Sequence, residues 1–205
     1  RSVGGDYFDY VPLPDGRTLL VVADVSGKGL AAALLMSSLQ ARVHALAEVE
    51  TDVARLVSRL NHSIKANTPD NKFITGFFAA VEPETGEMEY CNAGHNAPVL
   101  ARAGGRVELL TAGGPVLGIL PRITYSGGRA KLERGDLLVM YSDGVSEAAN
   151  ARGEEFTEEA VSQIAAACVD RSAGEVLMEI ARQLRAFLGE TPPNDDVTMM
   201  VARKG

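Results

Sequence analysis

The sequence predicts an α+β sandwich, and three observations carry that prediction. Its elements run in the order strands, two helices, a long block of strands, two helices and a closing strand. Short connections join the middle strands, which favours antiparallel pairing over a doubly wound parallel sheet. The helical segments come in pairs, and a helix pair can cover one face of a sheet.

Residues 6–12 and 17–23 alternate like strands around Pro14-Asp15-Gly16, a turn sequence. Helical composition and periodicity follow over about 28–48 and 52–66. Strands are expected at 73–81, 88–93, 97–102 and 106–110, with Glu84-Thr85-Gly86 and Gly104-Gly105 as hairpin turns. Further strands are expected near 123–132 and 137–142. Two helices then fall at about 157–169 and 173–188, the second opened by the capping-box pattern Ser172-Ala173-Gly174-Glu175. The last strand runs from Val197 to about Arg203.

Composition narrows the function classes. A chain of 205 residues, 46% hydrophobic and 23% charged, suits one domain with a substantial core. A formal charge of −7 argues against a nucleic-acid partner, which needs a basic face. No apolar run approaches the roughly 18 residues of a membrane span, and no signal-peptide pattern opens the chain. Cys91 and Cys168 are the only cysteines, which points to a reducing, cytoplasmic setting without a disulfide framework. The first residue is Arg1, and Arg-Ser-Val-Gly-Gly leads straight into an element. The expectation is a segment of a longer chain with an upstream regulatory region, or one lacking an upstream strand.

The chemistry gathers on carboxylates at strand ends. Asp24 separates the strand-like Leu19-Leu20-Val21-Val22-Ala23 from the helix that begins beyond Gly27 and Gly29. If Asp15 centres the first hairpin, paired residues have numbers summing to 30, which sets Asp6 opposite Asp24. Two facing carboxylates repel, and a cation or a proton relieves them. Asp143 follows the strand Leu137 to Ser142, and Asn194-Asp195-Asp196 precedes the final strand. The end of one strand and the start of its antiparallel neighbour share a sheet edge, so one arrangement gathers Asp6, Asp24, Asp143 and Asp195. Each alone also fits an ordinary turn or cap. Oxygen donors without matching His or Cys suit Mg²⁺ or Mn²⁺ rather than zinc. Two such ions can lower the pKa of a shared water and orient in-line attack on phosphorus.

At these residues the sequence resembles the metal-dependent protein phosphatase (PPM) family, in its bacterial SpoIIE/RsbU-like branch. The matching segments are Val3-Gly4-Gly5-Asp6-Tyr7-Phe8-Asp9, Ala23-Asp24-Val25-Ser26-Gly27-Lys28-Gly29 and Asn92-Ala93-Gly94-His95-Asn96-Ala97-Pro98. Gly114-Pro115-Val116-Leu117-Gly118, Ser142-Asp143-Gly144-Val145-Ser146-Glu147 and Asp195-Asp196-Val197-Thr198 complete them. The resemblance implies an αββα sandwich of two mainly antiparallel sheets flanked by helix pairs, with two Mn²⁺ or Mg²⁺ ions. Carried over by position, Asp24 bridges both metals, the Val25 carbonyl reaches one, Asp143 and Asp195 complete the other shell, and Asp6 holds metal-bound water. Asp6, Asp24 and Asp196 stand as catalytic candidates, although Asp196 occupies a place where the family commonly has Asn and Asp195 is the ligand of the two. Arg1 and His95 stand as substrate-binding candidates, Arg1 by its place ahead of the first acidic motif. The implied reaction is hydrolysis of phosphoserine or phosphothreonine on an anti-sigma-factor antagonist of STAS type, in the cytoplasm or on a cytoplasmic domain of a larger sensor. An upstream sensor domain is implied as a partner, and a homodimer is compatible.

Other readings are weaker. His95 could act as general acid for the leaving oxygen, or could position its hairpin through hydrogen bonds. His44 and His62 read as surface or packing residues, and Leu34, Leu35 and Leu39 as core. Lys28 in Ser-Gly-Lys-Gly lacks the upstream glycine and the Ser/Thr of a phosphate loop. There is no Gly-x-Ser-x-Gly of a serine hydrolase, and Cys91 with His95 lacks the partners of a zinc site. The alternatives to a phosphoprotein phosphatase are a catalytically silent partner-binding pseudophosphatase and a small-molecule phosphomonoesterase.

Overall fold

The computed structural model describes residues 4–69 and 71–205. The chain divides into two compact units, residues 1–95 with 111–131, and 96–110 with 132–205.

In the first unit, β1 (Asp6–Pro12) and β2 (Thr18–Val25) form the leading hairpin, followed by α1 (Leu30–Ala47) and α2 (Val53–Lys65). Strands β3 (Ile74–Val81) and β4 (Glu87–Ala93) come next. The sheet order is β1-β2-β3-β4-β7, where β7 is the pair Gly113–Gly114, and β8 (Gly128–Lys131) also pairs with β4. All these pairings are antiparallel except β4 with β7. Val53, Leu56, Val57, Leu60, Asn61 and Ile64 are the buried residues of α2, one stripe at helical spacing, and Asp52 caps that helix by accepting from Arg55 N at 2.9 Å. They share a core with Tyr7, Val11, Leu19, Val21, Ala23 and Val25, the odd-numbered face of the hairpin.

Helix α1 departs from the sequence reading in two ways. Leu39 is buried and Leu35 packs on the core, but Leu34 is exposed, because the buried positions are Ala32, Leu39, Val43 and Ala47. Its 18 residues also reach a mean hydropathy of 1.3, so by length and composition it could cross a membrane. Ser37, Ser38, Gln40, Arg42 and His44 interrupt the apolar run, but the alanines and leucines between them hold the average up.

In the second unit, β5 (Val99–Ala101), β6 (Val107–Leu109), β9 (Leu137–Tyr141) and β10 (Met199–Arg203) form an antiparallel sheet ordered β10-β9-β5-β6. A one-turn helix, α3 (Asp143–Ser146), follows β9, and α4 (Glu158–Ala167) and α5 (Ala173–Leu188) complete the unit. The capping box at Ser172 and Glu175 is formed. Val176, Ile180, Leu184 and Leu188 bury one stripe of α5 against Val139, Tyr141 and Val145.

The strand expected near 123–132 is confined to β8. Residues 117–125 instead follow an irregular path, because α2 takes up their backbone groups. Asn61 Nδ2 donates to Leu120 O, Gly118 N donates to Asn61 Oδ1, and Tyr125 N donates to Ser58 Oγ, each within 3.0 Å. The final strand starts at Met199 rather than Val197, since Ser142 and Thr198 exchange bonds through the Ser142 side chain ahead of the ladder.

Candidate metal centre

The first unit supplies the carboxylates at its hairpin end. Leu13 N donates to Arg17 O at 2.8 Å and Gly16 N to Leu13 O at 3.1 Å, and that turn fixes the register. Asp6 pairs with Asp24, as the turn-centred count requires. Both lie on the even-numbered face, opposite the one packed against α1 and α2. Strand β2 runs two residues further than the sequence suggested, because β3 continues to pair with it, Thr75 opposite Asp24 and Ile74 opposite Val25. Oδ2 of Asp6 is buried, and Asp24 is half-buried. A Cβ on Gly5 would stand 2.9 Å from the Val25 carbonyl oxygen and 3.3 Å from Asp24 Oδ1. Glycine therefore leaves that cradle of two oxygens open.

His95 belongs to the same neighbourhood. It is buried, and its Nδ1 lies 2.9 Å from Oγ1 of Thr75, the residue registered with Asp24. Asn92 clamps the His95 backbone from both sides, accepting from its N at 2.7 Å and donating to its O at 3.0 Å. These bonds serve the positioning reading of His95. Thr75 lies outside every motif; only its register with Asp24 brings it into the site.

The second unit holds Asp143 and Asp195. Asp143 opens α3 directly after β9, and the following residue must be glycine, since a Cβ on Gly144 would collide with the Asp196 carbonyl oxygen. Ser142 ties the two segments, donating from N to Thr198 O at 3.0 Å and from Oγ to Asp196 O at 3.3 Å. Asn194 Nδ2 adds a bond to Glu147 O at 3.4 Å. Asp195 and Asp196 precede β10, so strand alternation does not set their directions; Asp196 N instead donates to Asp195 Oδ1 at 2.9 Å. Glu147, in the same motif as Asp143, has its carboxyl pushed above the ordinary value, first by burial and then by Asp143, Glu155, Asp195 and Glu158. That crowding of negative charge is what a cation would relieve.

Among the described residues, no three His, Cys, Asp or Glu side chains stand together as a ready metal cage. Donor chemistry nevertheless fits hard cations: carboxylates and one backbone carbonyl, with glycine where a side chain would block it. Arg1 lies outside the described residues. His44 and His62 are exposed, and His44 Nε2 meets Asp9 Oδ2 at 2.8 Å.

Comparison with known proteins agrees with these features. The family described as Stage II sporulation protein E (SpoIIE) matches residues 14–205. Phosphoserine phosphatase RsbU of Bacillus subtilis is 30% identical over 206 residues, covering 100% of this chain and 60% of its own length. Protein IcfG of Synechocystis is 25% identical over 227 residues, covering 98% of this chain and 36% of its own. The chain thus spans between about one third and three fifths of these curated relatives. The solved RsbU and RsbW domains of a Mycobacterium tuberculosis protein superpose with a TM-score of 0.79 at 27% identity, covering 98% of this chain and 56% of that one. The SiaA PP2C domain of Pseudomonas aeruginosa gives 0.85 at 21% identity over 98% of this chain and 81% of its own, a likeness of fold. Matched over nearly its whole length, and carrying the acidic strand ends and the Gly94-His95 segment after β4, this chain belongs to the SpoIIE family of PP2C-type serine/threonine phosphatases.

Proposed function

We propose that this chain hydrolyses phosphoserine or phosphothreonine on a regulatory protein, with two Mn²⁺ or Mg²⁺ ions as cofactors. The observation that carries the reading is the register of Asp6 with Asp24, two like charges held opposite each other at a strand end. In this reading the residues that would hold the ions are those the family resemblance carries over, Asp6, Asp24, the Val25 carbonyl, Asp143 and Asp195. When bound, the ions supply Lewis acidity and an activated water for attack on phosphorus. The chain's own residues do the rest. Gly5 keeps the approach to the Val25 carbonyl open, the Asp6 and Asp24 carboxylates hold negative charge in place for the cations, and Ser142 fixes the Asp143 and Asp195 segments. His95 orients Thr75 on the strand beside Asp24 and is a positioning residue. Asp196 accepts from Ser142 Oγ through its backbone carbonyl.

The name of the relative RsbU supports phosphoserine as the substrate group. The partner in this reading is a phosphorylated anti-sigma-factor antagonist of STAS type, with an upstream regulatory domain, in the cytoplasm. The test is Mn²⁺-dependent release of phosphate from a phosphoserine protein, with chelator and Asp24→Asn as controls. Asp24→Asn should remain folded and lose at least about a hundredfold in turnover. Near wild-type turnover at saturating Mn²⁺ would remove Asp24 from the centre, and equal efficiency on an aryl phosphate would favour a small-molecule substrate.

A further inference from the structure

Beside the Asp24 strand end, three segments of the first unit are fastened to one another. Ser26 N donates to Phe73 O and Phe73 N to Ser26 Oγ, both at 3.0 Å. Ile74 and Leu117 exchange two backbone bonds, at 3.0 and 2.8 Å. Asn61, fully buried in α2, holds Gly118 N and Leu120 O. The loop beyond Leu117 is therefore anchored from two sides, and it still presents large apolar side chains to solvent. Ile119 is 42% exposed and Leu120 51%, and Phe73, on the segment bonded to Ser26, is 36% exposed.

Charge in these segments runs against the chain as a whole. Residues 26–30, 71–74 and 117–124 carry Lys28, Lys72 and Arg122 and no Asp or Glu, in a protein of net charge −7. Lys28 and Arg122 are exposed, while the Lys72 ammonium donates to Ser26 O at 2.8 Å. Exposed apolar side chains held on an anchored backbone, with cations in the same segments, are what a protein–protein contact uses, with the charge setting which partner is admitted.

The geometry points to this rim, Phe73, Ile119 and Leu120 with Lys28 and Arg122, as the surface that reads the residues flanking the phosphoserine. The occupant is a segment of the phosphoprotein substrate carrying apolar and acidic residues next to the phosphorylated serine. This rests on the phosphatase reading above and narrows its substrate class. Apolar flanks cover the exposed side chains, acidic flanks meet the cations, and both contacts lie beside the strand end that holds Asp24.

Two phosphoserine peptides of equal length and p-nitrophenyl phosphate are the probes. One peptide has Leu, Ile, Asp and Glu around the phosphoserine, and the other has Ser, Lys and Arg. Phosphate release with Mn²⁺ should give the acidic, apolar peptide a kcat/KM at least about tenfold above the basic one. Ile119→Ser/Leu120→Ser should lose most of that preference through KM, and Arg122→Glu should lose part of it. Both variants should hold aryl phosphate turnover within about twofold of wild type, since neither touches the proposed ligands. Arg122→Glu, a change at an exposed side chain, keeps the test decisive if the double variant does not fold. Equal kcat/KM for the two peptides in wild type overturns the proposal, and so do folded variants that retain the preference or lose aryl phosphate turnover. Wild type that turns over neither peptide overturns the proposal, and if it also releases no phosphate from a phosphoserine protein the phosphatase reading falls with it.

Discussion

Asp195 and Asp196 differ by one position and by what their atoms do. Asp196 gives its carbonyl oxygen to Ser142 and its N–H to the Asp195 carboxylate. Asp196→Asn keeps both of those groups and should retain most of the activity. Asp195→Asn removes a charge from the segment that Ser142 fixes, and should weaken Mn²⁺ binding and turnover severely. Calorimetric Mn²⁺ titration of the two folded variants checks this; loss of metal by Asp196→Asn alone would reverse the assignment. The distinction was legible in the sequence only through the family resemblance. Strand alternation does not supply it, because both residues precede β10.

At the scale of elements, the turn from β9 into α3 depends on one missing Cβ. Gly144→Ala would drive a methyl group into the Asp196 carbonyl, and the backbone at 195–196 or at 143–144 must then move. Overpacking against backbone costs about 2 kcal/mol or more, or roughly 5 °C in Tm for a chain of this size. Thermal melts should show that loss, and Mn²⁺ affinity should fall with it, because Asp143 and Asp195 sit on the two displaced segments. The sequence showed the Ser142-Asp143-Gly144 motif but read it as the end of a strand. The one-turn helix is too short for periodicity to reveal.

In the second unit, Asp136 is a buried carboxylate with three hydrogen-bond donors. It is 2% exposed, accepts from Arg102 Nη1 at 2.8 Å and from Ala103 N at 2.9 Å, and also receives Glu133 N at 3.0 Å. Burial alone would raise its pKa, but the Arg102 bond and the two backbone bonds outweigh it and hold the carboxyl below the ordinary 3.8. A depressed folded pKa stabilises above the unfolded value, and that stability disappears as pH falls through the folded one. Urea melts taken from about pH 6 down to about pH 3 should show wild type losing stability as the carboxyl protonates. Asp136→Asn should start about 2 kcal/mol lower, with a shallower acid loss. An unchanged pH slope in the variant would exclude Asp136 as its source.

What the sequence determined by itself was local. A turn centred on Asp15 and the two-residue period of a strand set Asp6 against Asp24 without knowledge of any other element. The spacing of Val53 to Ile64 defined α2, and Ser172 with Glu175 defined the start of α5. Tertiary structure alone decided the rest: that β4 and β5, six residues apart, join different sheets, that Thr75 lies beside Asp24, and that residues 117–125 are held by α2 instead of forming a strand. Those outcomes depend on hydrogen bonds between residues tens of positions apart. A neighbouring sequence cannot encode which distant donor or acceptor will arrive first, since each such bond follows from the packing of whole elements and the closure of the loops between them.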